Sequence, residues 1–238
     1  CRKSSPYCLR KSVEENAKLG GTIFSTAAEM EAAGGKALAI QCDIRFEDQV
    51  QNVVDKTVAQ FGGIDILVNN ASAISLTGTE QTEPKRFDLM HDINVRGTFF
   101  VTKASIPHLK KAVNPHILTL SPPINLDPKW FEKHVAYTLT KYNMSMMTIG
   151  WAKEFAKDRI AANALWPKTT IDTAAVRNLL GGQMLVATHA RAAGRQQRRT
   201  AGPVAEQLGD LRQQRVPVEA AGLAAVGRHR LGGFIPID

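Results

Sequence analysis

The chain has 238 residues, 44% of them hydrophobic and 22% charged, which is enough for one large domain with a real core and excludes disorder as the overall picture. Its net charge of +8 sits at the ends: residues 183–238 hold eight Arg against four acids and residues 1–30 five basic residues against three, while the middle is balanced at seventeen against fifteen. Basic ends on a balanced core argue against nucleic-acid binding as the main task, and no apolar run reaches the length of a membrane span.

Cys1, Cys8 and Cys42 form no metal-ligand spacing and leave an odd one over, so free thiols, a reduced intracellular compartment and no metal site are expected. The chain opens on Cys rather than Met without a hydrophobic signal region, which predicts a piece of a longer protein and shows no targeting signal. The first ten residues, CRKSSPYCLR, contain no convincing strand. Thr22 to Ala33 has helix-forming composition and stops at Gly34-Gly35. The run KALAIQ, Lys36 to Gln41, reads as a buried strand leading to Asp43. From Phe46 to Phe61 the apolar residues Val50, Val53, Val54 and Val58 recur at helical spacing before Gly62-Gly63.

Ile64 to Val68 predicts a compact strand that ends in the small polar stretch Asn69-Asn70-Ala71-Ser72. Pro84 suits a first helical turn, and the helix runs with interruptions at Asn94 and Gly97 to about Leu109. His116 to Leu120 is a further buried strand ending at Ser121, followed by the irregular loop SPPINLDP. The next helix carries Tyr137 and Lys141 and extends to about Phe155, and Ile160 to Trp166 is a last strand closed by Pro167. Strand and helix alternate throughout, which predicts an α/β fold with a Rossmann-like, doubly wound parallel sheet. In such folds ligands bind beyond the carboxyl ends of the strands, which singles out Asp43, Asn69 to Ser72, Ser121 and Pro167 to Thr170.

Tyr137 and Lys141 stand four apart on one helix face, so the hydroxyl and the ammonium can converge on a cleft. A fixed positive charge beside a tyrosine favours the phenolate and lowers its pKa, the arrangement of a proton-transfer pair. An ordinary amphipathic face gives the same spacing. The series Asp43, NNAS at 69–72, Asn94 in INVRGT, Ser121, YTLTK at 137–141 and WPKTTIDT at 166–173 resembles the short-chain dehydrogenase/reductase family in order and spacing, over about residues 11–182.

The resemblance implies hydride transfer between a nicotinamide cofactor and a hydroxyl or carbonyl of a lipid- or steroid-like small molecule. Tyr137 would be the general acid/base, Lys141 would lower its pKa and hold the nicotinamide ribose, Ser121 would orient the substrate oxygen, and Asn94 would hold a proton-relaying water. Asp43 would lie beside the adenine, Asn70 and Ala71 beside the adenosine ribose, and Pro167, Thr169 and Thr170 beside the nicotinamide. Lys11 would meet the 2′-phosphate of NADP, with NAD as the alternative cofactor. A homo-oligomer and a peroxisomal or mitochondrial setting are implied by the same likeness. Bland alternatives stand beside these roles: Asp43 as a helix cap, Asn94 as a helix-bending residue that bonds backbone, and Lys11 as a solvated charge. Ser121 stands sixteen residues before the tyrosine, where the family usually has a shorter interval, and Pro122 replaces a second serine.

The sequence departs from the family in two places. No GxxxGxG turn precedes Lys11 or occurs elsewhere, so the first βαβ unit is lacking, and its strand would have lain at the sheet centre. Exposed strand edges, weak NADP binding and no NADP(H)-dependent turnover by these 238 residues are therefore expected. Beyond residue 182 the composition turns rich in Ala, Arg, Gln and Gly, with no Lys, Ser or Tyr. The expected organisation is an incomplete dehydrogenase domain over 1–182, a tract of doubtful origin over 183–231, either a shifted reading frame or a divergent insertion, and a last-strand remnant at 232–238. A non-enzymatic scaffold or interaction protein is the competing reading of the whole.

Overall fold

Thr22 starts a helix because its hydroxyl accepts the Ser25 backbone N–H at 3.1 Å while the Ser25 hydroxyl accepts the Thr22 N–H at 2.8 Å, a reciprocal cap on donors that a helix start leaves over. The computed structural model describes residues 4–9, 21–167 and 223–226. This first helix, α1, runs Ile23–Ala32 and gives way to Gly34 at φ 84°, a left-handed turn open to glycine. It joins two strands, β1 (Ser4–Leu9) and β2 (Lys36–Gln41), which pair in parallel from Ser4↔Lys36 to Leu9↔Gln41. The expectation that the opening residues hold no strand is thereby corrected. SSPYCL has a weak intrinsic strand signal, and ladder pairing with the apolar β2 supplies what local propensity does not.

The next helix, α2 (Glu47–Phe61), buries Val50, Val53, Val54 and Thr57 at positions i, i+3, i+4 and i+7. Glu47 and Asp48 lie at its positive end, and Gly62 at φ 81° closes it. Strand β3 spans Ile66–Asn69, two residues later than Ile64 suggests. Ile64 is only 1% exposed and packs in the core ahead of the ladder.

Pro84 opens α3 (Pro84–Met90), which passes into a π-helical segment over His91–Gly97 and then α4 (Thr98–Leu109). Gly97 is required there by close approach: a Cβ on it would come within 2.6 Å of Ile44 Cδ1 and 3.2 Å of the Asp92 carbonyl. Strand β4 (His116–Leu120), helix α5 (Val135–Glu154) and strand β5 (Ala161–Leu165) complete the continuous part. The core gathers Ile40, Cys42, Val54, Leu67, Ile93, Val101, Ile117 and Trp151, and Cys42 is a free, buried thiol.

The sheet order is β2-β1-β6-β3-β4-β5, where β6 is Leu223–Val226 within the Arg/Ala/Gln-rich tract. β3 pairs with β4 and β4 with β5 in parallel. β6 instead runs antiparallel to both neighbours, with Cys8↔Leu223 on one side and Ile66↔Val226 to Asn69↔Leu223 on the other. The expected gap at the centre of the sheet is therefore closed, and the sheet is parallel except for this strand. Chain order reverses across β6, which makes the strand ends beside it the switch point where ligands bind in open α/β sheets. Among the described residues no helix is long and apolar enough to cross a membrane.

Candidate functional site

Because β1 to β5 all point one way, the residues following β2, β3, β4 and β5 share one sheet edge. Asp43, Asn70, Ala71, Ser121 and Pro167 all stand there, as the strand pattern predicts. Lys11, Thr169 and Thr170 lie outside the described residues.

The site is organised by α5. On one face its side chains take up main-chain carbonyls at the end of β4 and along the loop after it. Thr138 Oγ1 donates to Trp130 at 3.1 Å, Lys141 Nζ to Leu120 at 2.6 Å, Tyr142 Oη to Asn125 at 2.8 Å and Ser145 Oγ to Pro122 at 2.6 Å. The spacing 138, 141, 142, 145 is the i, i+3, i+4, i+7 pattern of one helix face. Prolines leave this loop few backbone donors, so its carbonyls would go unmet without these side chains. Phe131 adds an edge-on ring contact with Tyr142 at 5.1 Å. Between loop and helix lies a mostly apolar cleft of about 240 Å³, walled by Pro122, Pro123, Trp130, Tyr142 and Trp166 and floored by Tyr137 and Lys141.

The ionisation of the pair differs from the expectation. Burial pushes the Tyr137 phenol above its ordinary value, and the polar Ser72 side chain opposes that rise. Lys141 takes no part in that balance. It is 4% exposed, its amine is drawn to the Leu120 carbonyl with Met144 Sδ at 3.4 Å, and burial lowers its pKa to about 8. The lowering of Tyr137 by Lys141 is thus corrected: four-residue spacing brings the two to one cleft, but the strand-end carbonyl claims the amine.

Ser121 is 1% exposed, its N–H donates to the Leu165 carbonyl at 3.2 Å, and its hydroxyl has no hydrogen-bond partner among the described residues. A buried hydroxyl left unmet carries a desolvation cost that a ligand oxygen would relieve. Asn94 is wholly buried in the π-helical segment. Its Oδ1 accepts the Ala73 N–H at 2.7 Å, and its Nδ2 donates to the Ala73 carbonyl and to Thr140 Oγ1, both at 2.9 Å. The backbone-bonding alternative is therefore present whatever else this residue does. Asp43 binds Arg45 through both oxygens, with Nη2 at 2.5 Å and Nε at 2.9 Å and 3.0 Å. It does not cap α2, whose N-cap is Phe46 without a side-chain cap bond. Asn69, beside Asn70, donates to Thr102 Oγ1 at 3.0 Å and fastens the end of β3 to α4. Thr140 is a site residue that sequence reasoning missed, and Ser72, inside the singled-out stretch Asn69 to Ser72, has no role assigned there. Both lie inside quoted motifs, NNAS and YTLTK, but a hydroxyl in a loop or a helix turn has no periodicity to mark it.

Residues 17–182 match the short chain dehydrogenase family. The chain belongs to that family. It is 59% identical over 172 residues to hydroxysteroid dehydrogenase-like protein 2 of Danio rerio, covering 72% of this chain and 41% of that protein, so it spans about two fifths of the length of the curated relatives it matches. A short chain dehydrogenase from Mycobacterium thermoresistibile superposes with a TM-score of 0.69 at 55% identity, covering 75% of this chain and 64% of that one. A short chain dehydrogenase from Burkholderia cenocepacia in complex with NADP gives 0.55 at 27%, covering 62% and 59%. The short-chain dehydrogenases are oxidoreductases that act on small molecules with nicotinamide cofactors.

The residues of this short-chain dehydrogenase fit one half of such a cofactor. The partnerless Ser121 hydroxyl, the Lys141 amine and the polar strand ends suit a nicotinamide and its ribose beside the cleft. For the pyrophosphate, the fold class uses a glycine-rich turn that leads from a central parallel strand into a helix. The sequence contains no such GxxxGxG turn, and the central place is taken by the antiparallel β6.

Proposed function

We propose that this chain carries the proton-transfer and substrate half of an NADP-dependent oxidoreductase that interconverts a carbonyl and a hydroxyl on an apolar, lipid- or steroid-like molecule. The observation that carries the reading is a half-buried phenol, its pKa raised by desolvation, at the floor of an apolar cleft. A protonated phenol can serve as the general acid that delivers a proton to a carbonyl oxygen as it is reduced. The bound nicotinamide supplies the hydride. Tyr137 gives its proton to the carbonyl oxygen, Ser121 donates a second hydrogen bond to that oxygen and fixes its place, and Lys141 holds the ribose. Asn94 keeps one lone pair on Oδ1 beside the bond it accepts from Ala73, which suits a single relaying water.

By resemblance, Asp43, Asn70 and Ala71 serve the adenosine end, Pro167, Thr169 and Thr170 the nicotinamide, and Lys11 the 2′-phosphate that selects NADP over NAD. The largely hydrocarbon walls Pro122, Pro123 and Trp130 support an apolar substrate over a charged one. Exposed Phe99 on α4 and Met146 and Ile149 on α5 support a homo-oligomer. Likeness to the curated relatives supports a peroxisomal or mitochondrial setting. A non-enzymatic scaffold remains the second reading, favoured by β6 in the place of a phosphate-binding strand.

The test supplies the glycine-rich turn: a chimera in which the first strand, turn and helix of the zebrafish relative precede Lys11. With an apolar ketone it should consume NADPH, faster than NADH, and Tyr137→Phe should cut the rate by about 10²-fold or more. Equal turnover by Tyr137→Phe would reject the role of the tyrosine. Saturable NADPH binding by the 238 residues alone would reject the claim that they lack the phosphate-holding half.

A further inference from the structure

The loop over the cleft yields most of its main-chain acceptors to α5. Four of its residues line the cleft, Pro122, Pro123, Asn125 and Trp130, and three of these give their carbonyl to a hydroxyl of the helix: Pro122 to Ser145, Asn125 to Tyr142 and Trp130 to Thr138. The two prolines have no N–H to offer. The side-chain polar groups that these four residues present are donors, the Asn125 amino group and the Trp130 indole N–H. Asn125 is held at two points. Its carbonyl accepts from Tyr142 Oη at 2.8 Å, and its Oδ1 accepts the Asp127 N–H at 3.0 Å, an Asx turn. A backbone N–H can only donate, so the atom it meets is the carboxamide oxygen, and the orientation of the amide is settled. Nδ2 is then the free end, without a hydrogen-bond partner among the described residues.

We propose that Asn125 is a specificity-determining residue: its Nδ2 receives a second oxygen acceptor of the substrate, so the preferred class is an apolar oxo compound with a further carbonyl away from the reacting one. The proposal deepens the carbonyl-to-hydroxyl reading of this cleft and rests on it. The polar groups that α5 brings to the cleft have other tasks. Tyr137 serves the reacting oxygen, Lys141 Nζ is on the Leu120 carbonyl, and Thr138 Oγ1 has given its proton to Trp130. No Asp or Glu lines the cleft among the described residues, and the carboxylate of Asp127, two residues after Asn125, pairs with Lys129 at 2.6 Å. A substrate ammonium therefore finds no counter-charge there, whereas a carbonyl oxygen meets an oriented amino group. The two bonds that hold Asn125 fix this donor before a ligand arrives, so little freedom is lost on binding. Asn125 is exposed, so the ligand oxygen replaces water and the gain is that of one net hydrogen bond.

The test reads binding by the 238-residue protein and needs neither cofactor nor turnover. Trp130 and Trp166 line the cleft while Trp151 sits in the core, so ¹⁵N-labelled indoles give two reporters and an internal control, assigned by Trp130→Phe and Trp166→Phe. The probes are 2-decanone, decane-2,5-dione, decane-2,7-dione and decane-2,9-dione. A second carbonyl makes the chain less apolar, so burial alone ranks 2-decanone first. The expected order is the reverse: at least one dione should bind about 2–10-fold more tightly than 2-decanone. Asn125→Asp keeps the oxygen that the Asp127 N–H needs and puts an acceptor in place of the donor. It should bring that dione level with 2-decanone or below it, and hold 2-decanone within about two-fold of its parent affinity. Asn125→Ser, which still suits the turn but lacks the amino group, should also abolish the preference. A parent protein that binds 2-decanone at least as well as every dione, indoles that no probe shifts, or a dione preference that survives Asn125→Asp overturns the proposal. An equal fall for all probes in both variants, or unfolding of both by circular dichroism, overturns it in favour of a purely structural asparagine. A chimera without turnover, alongside a dione preference that Asn125→Asp removes, would sink the oxidoreductase reading alone.

Discussion

Lys141→Met should make the protein more stable at neutral pH and less stable in alkali, with the sign changing between. In the folded chain the amine is 4% exposed and its pKa falls from 10.5 to about 8 because burial disfavours the charge. In the unfolded chain it titrates near its ordinary value. Between these two values the unfolded state binds more protons than the folded one, so parent stability rises with pH across that window. Below pH 8 the buried charge costs about 3 kcal/mol, and above 10.5 the cost is gone. Methionine removes that cost at every pH but leaves the Leu120 carbonyl without the donor now at 2.6 Å, a loss of about 1–2 kcal/mol. The variant should therefore gain about 1–2 kcal/mol at pH 7 and lose a similar amount above pH 10.5. Urea melts of both proteins from pH 6.5 to the alkaline limit of folding read the difference directly. A difference that stays constant from pH 7 to 10 would show that Lys141 titrates as an exposed amine, and the burial argument would fail.

Other perturbations test the frame around the pair. Asn94→Ala strips the N–H and carbonyl of Ala73 of their partner and removes a bond to Thr140, so it should cost about 3–5 kcal/mol in a urea melt, while a loss under about 1 kcal/mol would mean water replaces the carboxamide. Gly97→Ala should cost about 1–3 kcal/mol through the clash with Ile44, and Ile44→Ala in the same chain should recover part of it; additive losses would contradict the contact. Tyr142→Phe should free the Asn125 carbonyl and loosen the cleft wall, read as faster amide exchange in residues 122–130 with the rest of α5 unchanged.

The parts of the fold legible in the sequence are those where one element's own pattern suffices. KALAIQ and HILTL are continuous apolar runs with polar borders, and the structure gives strands with those bounds. The valine spacing of α2 marks the face it buries. β1 and β6 are not legible in this way. SSPYCL carries a proline and two serines, LAAV sits in an alanine-rich tract, and each becomes a strand through ladder partners distant in sequence. The site divides along the same line. Four-residue spacing places Tyr137 and Lys141 on one cleft, yet where the amine turns depends on the end of β4, which no local pattern reveals. Asn94 and Thr140 act through hydrogen bonds that run from Ala73 to the Tyr137 carbonyl, and only the folded chain brings these residues together.

The four carbonyls that α5 holds along residues 120–130 have an evolutionary consequence. The wall of the cleft is fastened to the same rigid rod that carries the tyrosine, so shape and chemistry travel together. New substrate preferences can then arise by exchanging outward side chains such as Pro123 or Trp130 on a fixed main-chain track. Lengthening the loop is the harder route, because an inserted residue would pull at least one carbonyl off its donor and disturb the proton donor's own helix.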